Sequence, residues 1–473
     1  MGKSVHIRSV TLSRYCGLIA LLLLLAACDS PTSGTPPAGT APAQRDGSAV
    51  AQSTSTPAQV QSSTSTADTG SHGTPGPSTA PGMTYAFVRA GQVWVVINGA
   101  SAVQATHFDY SSAGSSRNVF FGQPLWFASD RFLAFTLKVL PGGLGGGGCG
   151  FDSDYGRSGQ LFVLDTTSMQ LAQIAVPGEQ SAITPGAPYN GYWEYLFSED
   201  DSHLLAWHND RGLRGAGGLY RYDLNAGTLV LTIPSSSVPG ADNYEAWYPM
   251  RYSSGQLYYE TMIGGGTNNT VFTIYSHSVS NPAMPGTKVL DVGSEPFCAS
   301  QGNNPNSPPV SGPFREPGWD ISPDGKYLAA QTMVTSGSTT TGSVKVVMLS
   351  TGTTLTLFAQ APAQVLDQDA LLSWSHDGGA VVLKSSLSQF TLYSVLLSSP
   401  ATMQTYSTSG VTLNSGNDLV HLVWQGDGGV FAMFCSQQFG IGSNPGCANA
   451  YEFIVGQPTG ALLLANAYNF AWG

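Results

Sequence analysis

Four carboxylates in this chain have the surroundings that bond-breaking chemistry asks for. Asp152 and Asp154 lie in a glycine-rich segment, Glu194 follows Tyr192-Trp193, and Asp320 follows Trp319. Two carboxyl groups about 5–10 Å apart, one of them with a raised pKa, can hydrolyse a glycosidic bond. Other chemistries are excluded by what accompanies their motifs. Gly143-Leu144-Gly145-Gly146-Gly147-Gly148 has the spacing of a dinucleotide loop, but no helix follows it and no βαβ unit surrounds it. Asp152-Ser153-Asp154-Tyr155-Gly156 opens like a calcium loop, yet Val163 stands where the bidentate Glu belongs. The chain has no Gly-x-Ser-x-Gly elbow and no Cys-x-x-Cys pair, and its 8 histidines are scattered. These readings name no catalytic residue with a fixed role, no metal and no cofactor.

The thiol of Cys28 is a different matter. Lys3, Arg8 and Arg14 precede an apolar run from Cys16 to Ala27 that contains five consecutive leucines. Such a run is short for a membrane span and suits the hydrophobic part of a signal peptide. It ends in Leu25-Ala26-Ala27-Cys28, which resembles a bacterial lipobox. The resemblance implies that Cys28 is acylated, that cleavage makes it the new N-terminus, and that the acyl chains (palmitate among them) anchor the protein to a membrane of the cell envelope. Asp29 resembles the inner-membrane retention signal of some diderm bacteria, and the inner membrane, outer membrane and cell surface all stay open as addresses.

Those reactive groups must be held by the rest of the chain, which divides into three parts. Residues 1–27 read as the leader, and 28–82 as the lipidated cysteine with a Ser/Thr/Pro/Ala-rich linker. The linker buries too little apolar surface to offset the entropy of ordering, so it is predicted to be a disordered spacer. A coil of that length spans roughly 40 Å root-mean-square. Residues 83–473 are long enough for a large core. The 473-residue chain has 18 Lys+Arg against 29 Asp+Glu, a net charge of −11. That balance, with no basic stripe, excludes nucleic acid as a partner.

Within 83–473 one phrase recurs: an aromatic or apolar residue, a polar turn, then an apolar strand. Its aligned positions are Trp126, Phe197, Tyr252, Ile321, Trp374 and Trp424, about 50–70 residues apart. Each phrase reads as a hairpin followed by two further strands, giving four antiparallel strands per unit. Ser322-Pro323-Asp324-Gly325-Lys326-Tyr327 and Ser375-His376-Asp377-Gly378 resemble the WD40-like, TolB-type propeller repeat. The resemblance implies an all-β propeller. Tyr85 to His107 supply three strands without a first, and Asn469 to Trp472 read as a first strand alone. Together they make a composite blade that closes the ring. Six phrases and one composite blade predict seven blades, with a six-bladed ring as the alternative.

Turns between first and second strands are short, whereas about 141–159, 177–192, 234–247, 293–318 and 436–449 are long connections emerging on one face. That face is the expected binding surface, with Tyr155, Tyr192, Trp193, Trp247, Trp319, Glu194, Asp320 and Arg315 as candidates. Four cysteines remain after processing, an even number that suggests two disulfides in an exported protein. Cys435 and Cys447 flank one hairpin loop and are expected to pair, which leaves Cys149 with Cys298. The function expected is a monomeric, non-catalytic binding or scaffolding module for a protein, peptide or glycan. The alternative is a carbohydrate-active hydrolase or lyase drawing two carboxylates from Glu194, Asp320, Asp152 and Asp154.

Overall fold

A computed structural model of the chain describes residues 82–473 except 111–117, 123, 141–158, 177–192, 209–216, 239–249, 264–269, 296–318, 337–338, 363–371, 376, 387–388, 395–401, 408–419, 426–429, 436–448, 456, 458 and 466. The expected leader, Cys28 and nearly all of the expected linker lie outside the described residues. So do Cys149, Cys298, Cys447, Asp152, Asp154, Tyr155, Tyr192, Trp247 and Arg315.

The repeated phrase folds as it does because its side chains satisfy the turn internally. Ser322 Oγ accepts the N–H of Tyr327 at 2.9 Å and donates to Asp324 Oδ1 at 2.7 Å. Asp324 Oδ1 also accepts the N–H of Lys326, and the Gly325 N–H bonds the Ser322 carbonyl at 2.8 Å. Gly325 sits at φ +67°, where a side chain would be strained. The same bonds recur one repeat later: Ser375 Oγ accepts the Ala380 N–H at 2.8 Å and donates to Asp377, which accepts the Gly379 N–H at 2.9 Å. The Ser-x-Asp-Gly spelling is thus a self-contained tight turn that starts an antiparallel hairpin.

Hydrogen bonding sorts the strands into six sheets. The first joins β1 (Tyr85–Arg89), β2 (Gln92–Val96) and β3 (Val103–Gln104) to the last strand of the chain, β29 (Tyr468–Trp472). The second contains β4 (Asn118–Phe121), β5 (Leu125–Trp126), β6 (Phe132–Leu140), β7 (Gln160–Asp165) and β8 (Gln170–Ile174). The third is β9 (Trp193–Asp200), β10 (His203–His208), β11 (Gly218–Asp223) and β12 (Thr228–Pro234). An eight-stranded sheet follows, made of β13 (Met250–Ser253), β14 (Gln256–Ile263), β15 (Thr270–Ser278) and β16 (Thr287–Glu295), then β17 (Trp319–Ile321), β18 (Tyr327–Ser336), β19 (Thr339–Met348) and β20 (Thr354–Pro362). A single parallel bridge, Gly293 to Met333, links its two four-stranded halves. The last two sheets are β21 (Leu372–Trp374), β22 (Ala380–Ser386), β23 (Gln389–Ser394) and β24 (Thr402–Ser407), and β25 (Val420–Trp424), β26 (Val430–Cys435), β27 (Asn449–Ile454) and β28 (Ala461–Ala465).

The first strands of successive units touch in an unbroken cycle: β29, β5, β9, β13, β17, β21, β25 and back to β29. This is the radial arrangement of a β-propeller, and it closes on itself. Counted as continuous sheets the ring has six members, the alternative count; the seven-blade expectation divides the eight-stranded sheet at its one bridge.

Closure uses both ends of the described domain. β29 runs antiparallel to β1, with Tyr85 opposite Trp472, Ala86 opposite Ala471 and Val88 opposite Tyr468. Phe470 is fully buried, 5.4 Å from the Tyr85 ring and 4.6 Å from the Trp472 ring. Their cluster includes Ala432, Ala450 and Leu464 of the preceding sheet, so closing the ring also fills an interface between blades. One strand was not legible in the sequence. β4 shares β6 with β5, and Gly122 and Pro124 between them interrupt the edge. Proline cannot donate to a ladder, and a Cβ at Gly122 would meet Thr136 Oγ1 at 2.2 Å.

Two predictions follow from these contacts. Phe470→Ala should cost about 3–5 kcal/mol, the usual loss for a buried aromatic, and deleting the last six residues should cause aggregation through the exposed β1 edge. Chemical denaturation checks both, and an unchanged midpoint would remove β29 from the core. Stability should also fall in acid. The Asp324 carboxyl is raised by burial, but the Lys326 ammonium, the Ser322 hydroxyl and the Lys326 N–H outweigh this and hold it below its ordinary value. Lys288 and Thr273 do the same for Asp291 against opposing burial. A carboxyl depressed in the folded state contributes stability above its unfolded value, about pH 4, and loses it as pH falls through the folded value. Melting temperature should therefore be level above about pH 5 and decline below pH 4; a flat profile down to pH 2 would contradict these turns.

Candidate functional site

The described candidates sit at the start of two first strands. Trp193 and Glu194 open β9, and Trp319 and Asp320 open β17. The sequence places both tryptophans on an open loop face; the structure buries both completely. Their work is between blades. Trp193 exchanges two backbone bonds with Gly159, at 2.9 and 2.8 Å, which fastens β9 to the sheet before it. Its ring meets His208 edge-on at 4.8 Å and Tyr220 at 5.5 Å. A Cβ at Gly159 would lie 2.8 Å from the Leu137 backbone, so only glycine allows this approach. Trp319 packs with Tyr258, Ile274 and Leu328, and its Nε1 donates to Glu260 Oε2 of β14 at 2.8 Å. An indole that would otherwise bury an unpaired N–H is matched by an acid from the other half of the eight-stranded sheet.

Asp320 ties together the first strands of three consecutive four-stranded units. Its Oδ1 accepts from Arg251 Nε on β13 at 2.9 Å and from the N–H of Ile321 at 2.9 Å. Its Oδ2 accepts the N–H of Trp374 on β21 at 2.9 Å, and its backbone carbonyl accepts Trp374 Nε1 at 3.0 Å. The side chain keeps 15% of its exposure and Arg251 keeps 29%. Charge-assisted bonds in such a setting are among the stronger polar contacts a protein makes. A carboxylate saturated in this way is poorly placed to shuttle a proton or attack a sugar. Glu194 is buried as well, 5% exposed.

Acid catalysis needs a carboxyl with a raised pKa. Burial raises Glu452, but it lies on β27, the third strand of its blade, away from the first strands that form the inner ring. Asp320 is committed to Arg251, Ile321 and Trp374, and Asp152 and Asp154 of that reading fall outside the described residues.

Two partners were missed in the sequence, and each left a signal. Arg251 and Asp320 occupy the same position of the repeated phrase in adjacent units, so opposite charges at one level of the ring announce a bond. Glu260 is a lone acid within Leu257-Tyr258-Tyr259-Glu260, an apolar run that tolerates a charge only if something answers it.

No protein-family model matches the chain, and no curated protein does. Solved structures resemble it in fold. A hypothetical selenium-binding protein from Sulfolobus tokodaii is 12% identical with a TM-score of 0.46, over 85% of this chain and 94% of that one. The periplasmic gluconolactonase of Pseudomonas aeruginosa is 15% identical with a TM-score of 0.43, over 82% and 98%. The β-propeller domain of the Trilobed protease from Pyrococcus furiosus is 8% identical with a TM-score of 0.40, over 79% and 90%. At such identities no activity carries over from them to this chain.

The bond across three first strands predicts its own energetics. Asp320→Ala leaves Arg251 and the Trp374 N–H without their acceptor and should cost about 1–3 kcal/mol. Arg251→Ala combined with Asp320→Ala should cost less than the sum of the single changes. Strict additivity in urea denaturation would show that the pair does not couple the blades.

Proposed function

We propose that this protein is a lipid-anchored, extracytoplasmic β-propeller of seven blades that binds a protein, peptide or glycan through its long loops and performs no catalysis. The observation that carries the reading is the state of Asp320, whose carboxylate is consumed by Arg251, Ile321 and Trp374. Asp320, one of the four carboxylates that could have joined an acid pair, serves instead as a strut between first strands. What is left to vary is the set of long connections, which a rigid ring can present to a ligand.

Support for seven blades comes from the cycle of first strands, which has seven members. Cys435 ends β26, and β26 and β27 pair antiparallel with Met433 opposite Tyr451; the spacing of Cys435 and Cys447 in the sequence supports a local disulfide. Cys149 with Cys298 is the remaining pair. Among the loop residues, Tyr155, Tyr192, Trp247 and Arg315 are the proposed contacts, since Trp193 and Trp319 are committed to the core.

Glycan and peptide arrays probed with the purified protein test the binding role. One ligand class should be retained saturably, and Tyr192→Ala or Trp247→Ala should abolish retention without moving the melting temperature. Release of shortened glycans that stops with Glu194→Gln would establish the hydrolase alternative instead. For the anchor, Cys28→Ser should shift the protein from the detergent phase to the aqueous phase on phase partitioning; unchanged partitioning would overturn it.

A further inference from the structure

We propose that the short-turn end of the ring rests directly on a bilayer of zwitterionic phospholipid, with a rim of exposed apolar side chains seated in its surface. By strand order each unit carries two turns at this end. An inner turn joins the first and second strands, nearest the ring's centre, and an outer turn joins the third and fourth. Backbone bonds tie the outer turns to the inner ones. The N–H groups of Thr166, Leu224 and Leu349 reach the carbonyls of Arg131, Ser202 and Lys326, each at 2.8 Å, and Val279 reaches Gly255 at 3.0 Å. Inner turns of neighbouring units bond as well, with Ser253 and Ser254 donating to carbonyls of Ser322, Pro323 and Asp324. These turns therefore lie at one level.

The two sets of turns differ in chemistry. Inner turns carry Asp130, Asp201, Asp324 and Asp377. Residues 97–102, 166–169, 224–227, 279–286 and 349–353, which form outer turns, include no Asp, Glu, Lys or Arg. Met169, Met284 and Val455 stand exposed in outer turns, where polar residues are the rule. Val103, Leu355 and Leu462 stand exposed at the first or second residue of a fourth strand. The other strongly exposed large apolar side chains among the described residues lie beside these, one at the end of β27 and two early in β12. Met284 and Leu462 each keep 57% of their exposure. Apolar side chains scattered singly over a surface need no explanation. Confinement to the outer edge of one end does.

Whatever covers this end must meet an apolar rim and an acidic centre at once. The rim residues belong to separate units, so a partner seated in one groove would reach only some of them, whereas a plane meets them together. A bilayer of zwitterionic lipid is such a plane, with ammonium groups outermost to face the Asp-bearing turns and hydrocarbon beneath to take the rim. Asp200 and Asp324 keep 49% and 45% of their exposure for that contact. Anionic lipid would meet like charge there. The path of the chain puts the membrane at the same end. β1 begins at Tyr85 opposite Trp472, where the closing first strand finishes, so the residues before it leave the ring beside the inner turns. The proposal rests on the anchored reading above only for bringing the ring to a membrane; docking then turns the long connections away from the bilayer.

The test is photolabelling of the full chain in vesicles of phosphatidylcholine and phosphatidylethanolamine that include a phospholipid with a diazirine in its acyl chain, followed by peptide mapping. Label should appear on peptides carrying Met169, Met284 and Leu462 as well as on residues before 82. Met284→Ser combined with Leu462→Ser should lower the ring label about tenfold, and leave the N-terminal label and the melting temperature unchanged. Replacing phosphatidylethanolamine by phosphatidylglycerol should lower the ring label too. Label confined to residues before 82 would overturn the docking and leave the anchor standing, whereas no association with vesicles would overturn both. Ring label that survives the double change, falls on the long connections or is equal on phosphatidylglycerol would also overturn it. Sedimentation as a dimer that the double change dissolves, with no ring label, would assign the rim to a second copy of the chain instead.

Discussion

A ring of sheets is stable only if its two ends are joined, and here the join is the ladder between β1 and β29. Without it, β1 would present unpaired backbone groups to solvent, and the faces of the first and last blades would lack partners. The residues that make the join are correspondingly apolar and aromatic: Tyr85, Phe87, Phe470 and Trp472 lie in one cluster with side chains of the preceding blade. Hydrogen bonding supplies direction and register, and aromatic burial supplies most of the free energy, about 2–3 kcal/mol for each large side chain. The rest of the molecule depends on this because every other blade is held on both faces by neighbours that only a closed ring provides.

Between blades, apolar packing is supplemented by a small set of polar ties at the inner strands. Asp320 reaches back to Arg251 and forward to Trp374, Trp319 donates to Glu260, and Trp193 bonds Gly159. Apolar packing is tolerant of sliding, whereas a carboxylate with several donors fixed in space is not. These ties set the level at which one blade meets the next. Charged and aromatic residues on first strands, the usual signs of a reactive centre, are here spent on registering the ring.

The hairpin phrase was legible because its physics is local. Ser322, Asp324 and Gly325 satisfy one turn among themselves, so the spelling alone foretells the structure, and the same holds from Ser375 to Gly378. The closing strand was legible by subtraction, since Tyr85 to His107 lacked a first strand and Asn469 to Trp472 lacked the other three. Burial of Trp193 and Trp319 was not legible. Both follow long connections, where exposure is the ordinary expectation, and their partners Gly159 and Glu260 are distant in the chain. β4 was missed for a similar reason: its pairing with the far half of β6 bypasses Gly122 and Pro124, and nothing nearby in the sequence announces that β6 is long enough for two partners. The bridge from Gly293 to Met333, which merges two units into one sheet, is likewise announced by no motif.

The two ends of the ring consequently face different constraints. At the short-turn end, tight hairpins bring acidic and basic side chains from adjacent strands into fixed rows, as in Asp200, His203 and Asp223, because the turn residues themselves must carry Asp and Ser to close. The other end receives connections many residues long, and their length is not required by the fold, since a strand can reach its neighbour with a few residues. The inner strands, with Asp320 among them, hold the ring, and the proposed recognition of large partners accordingly falls to the long connections.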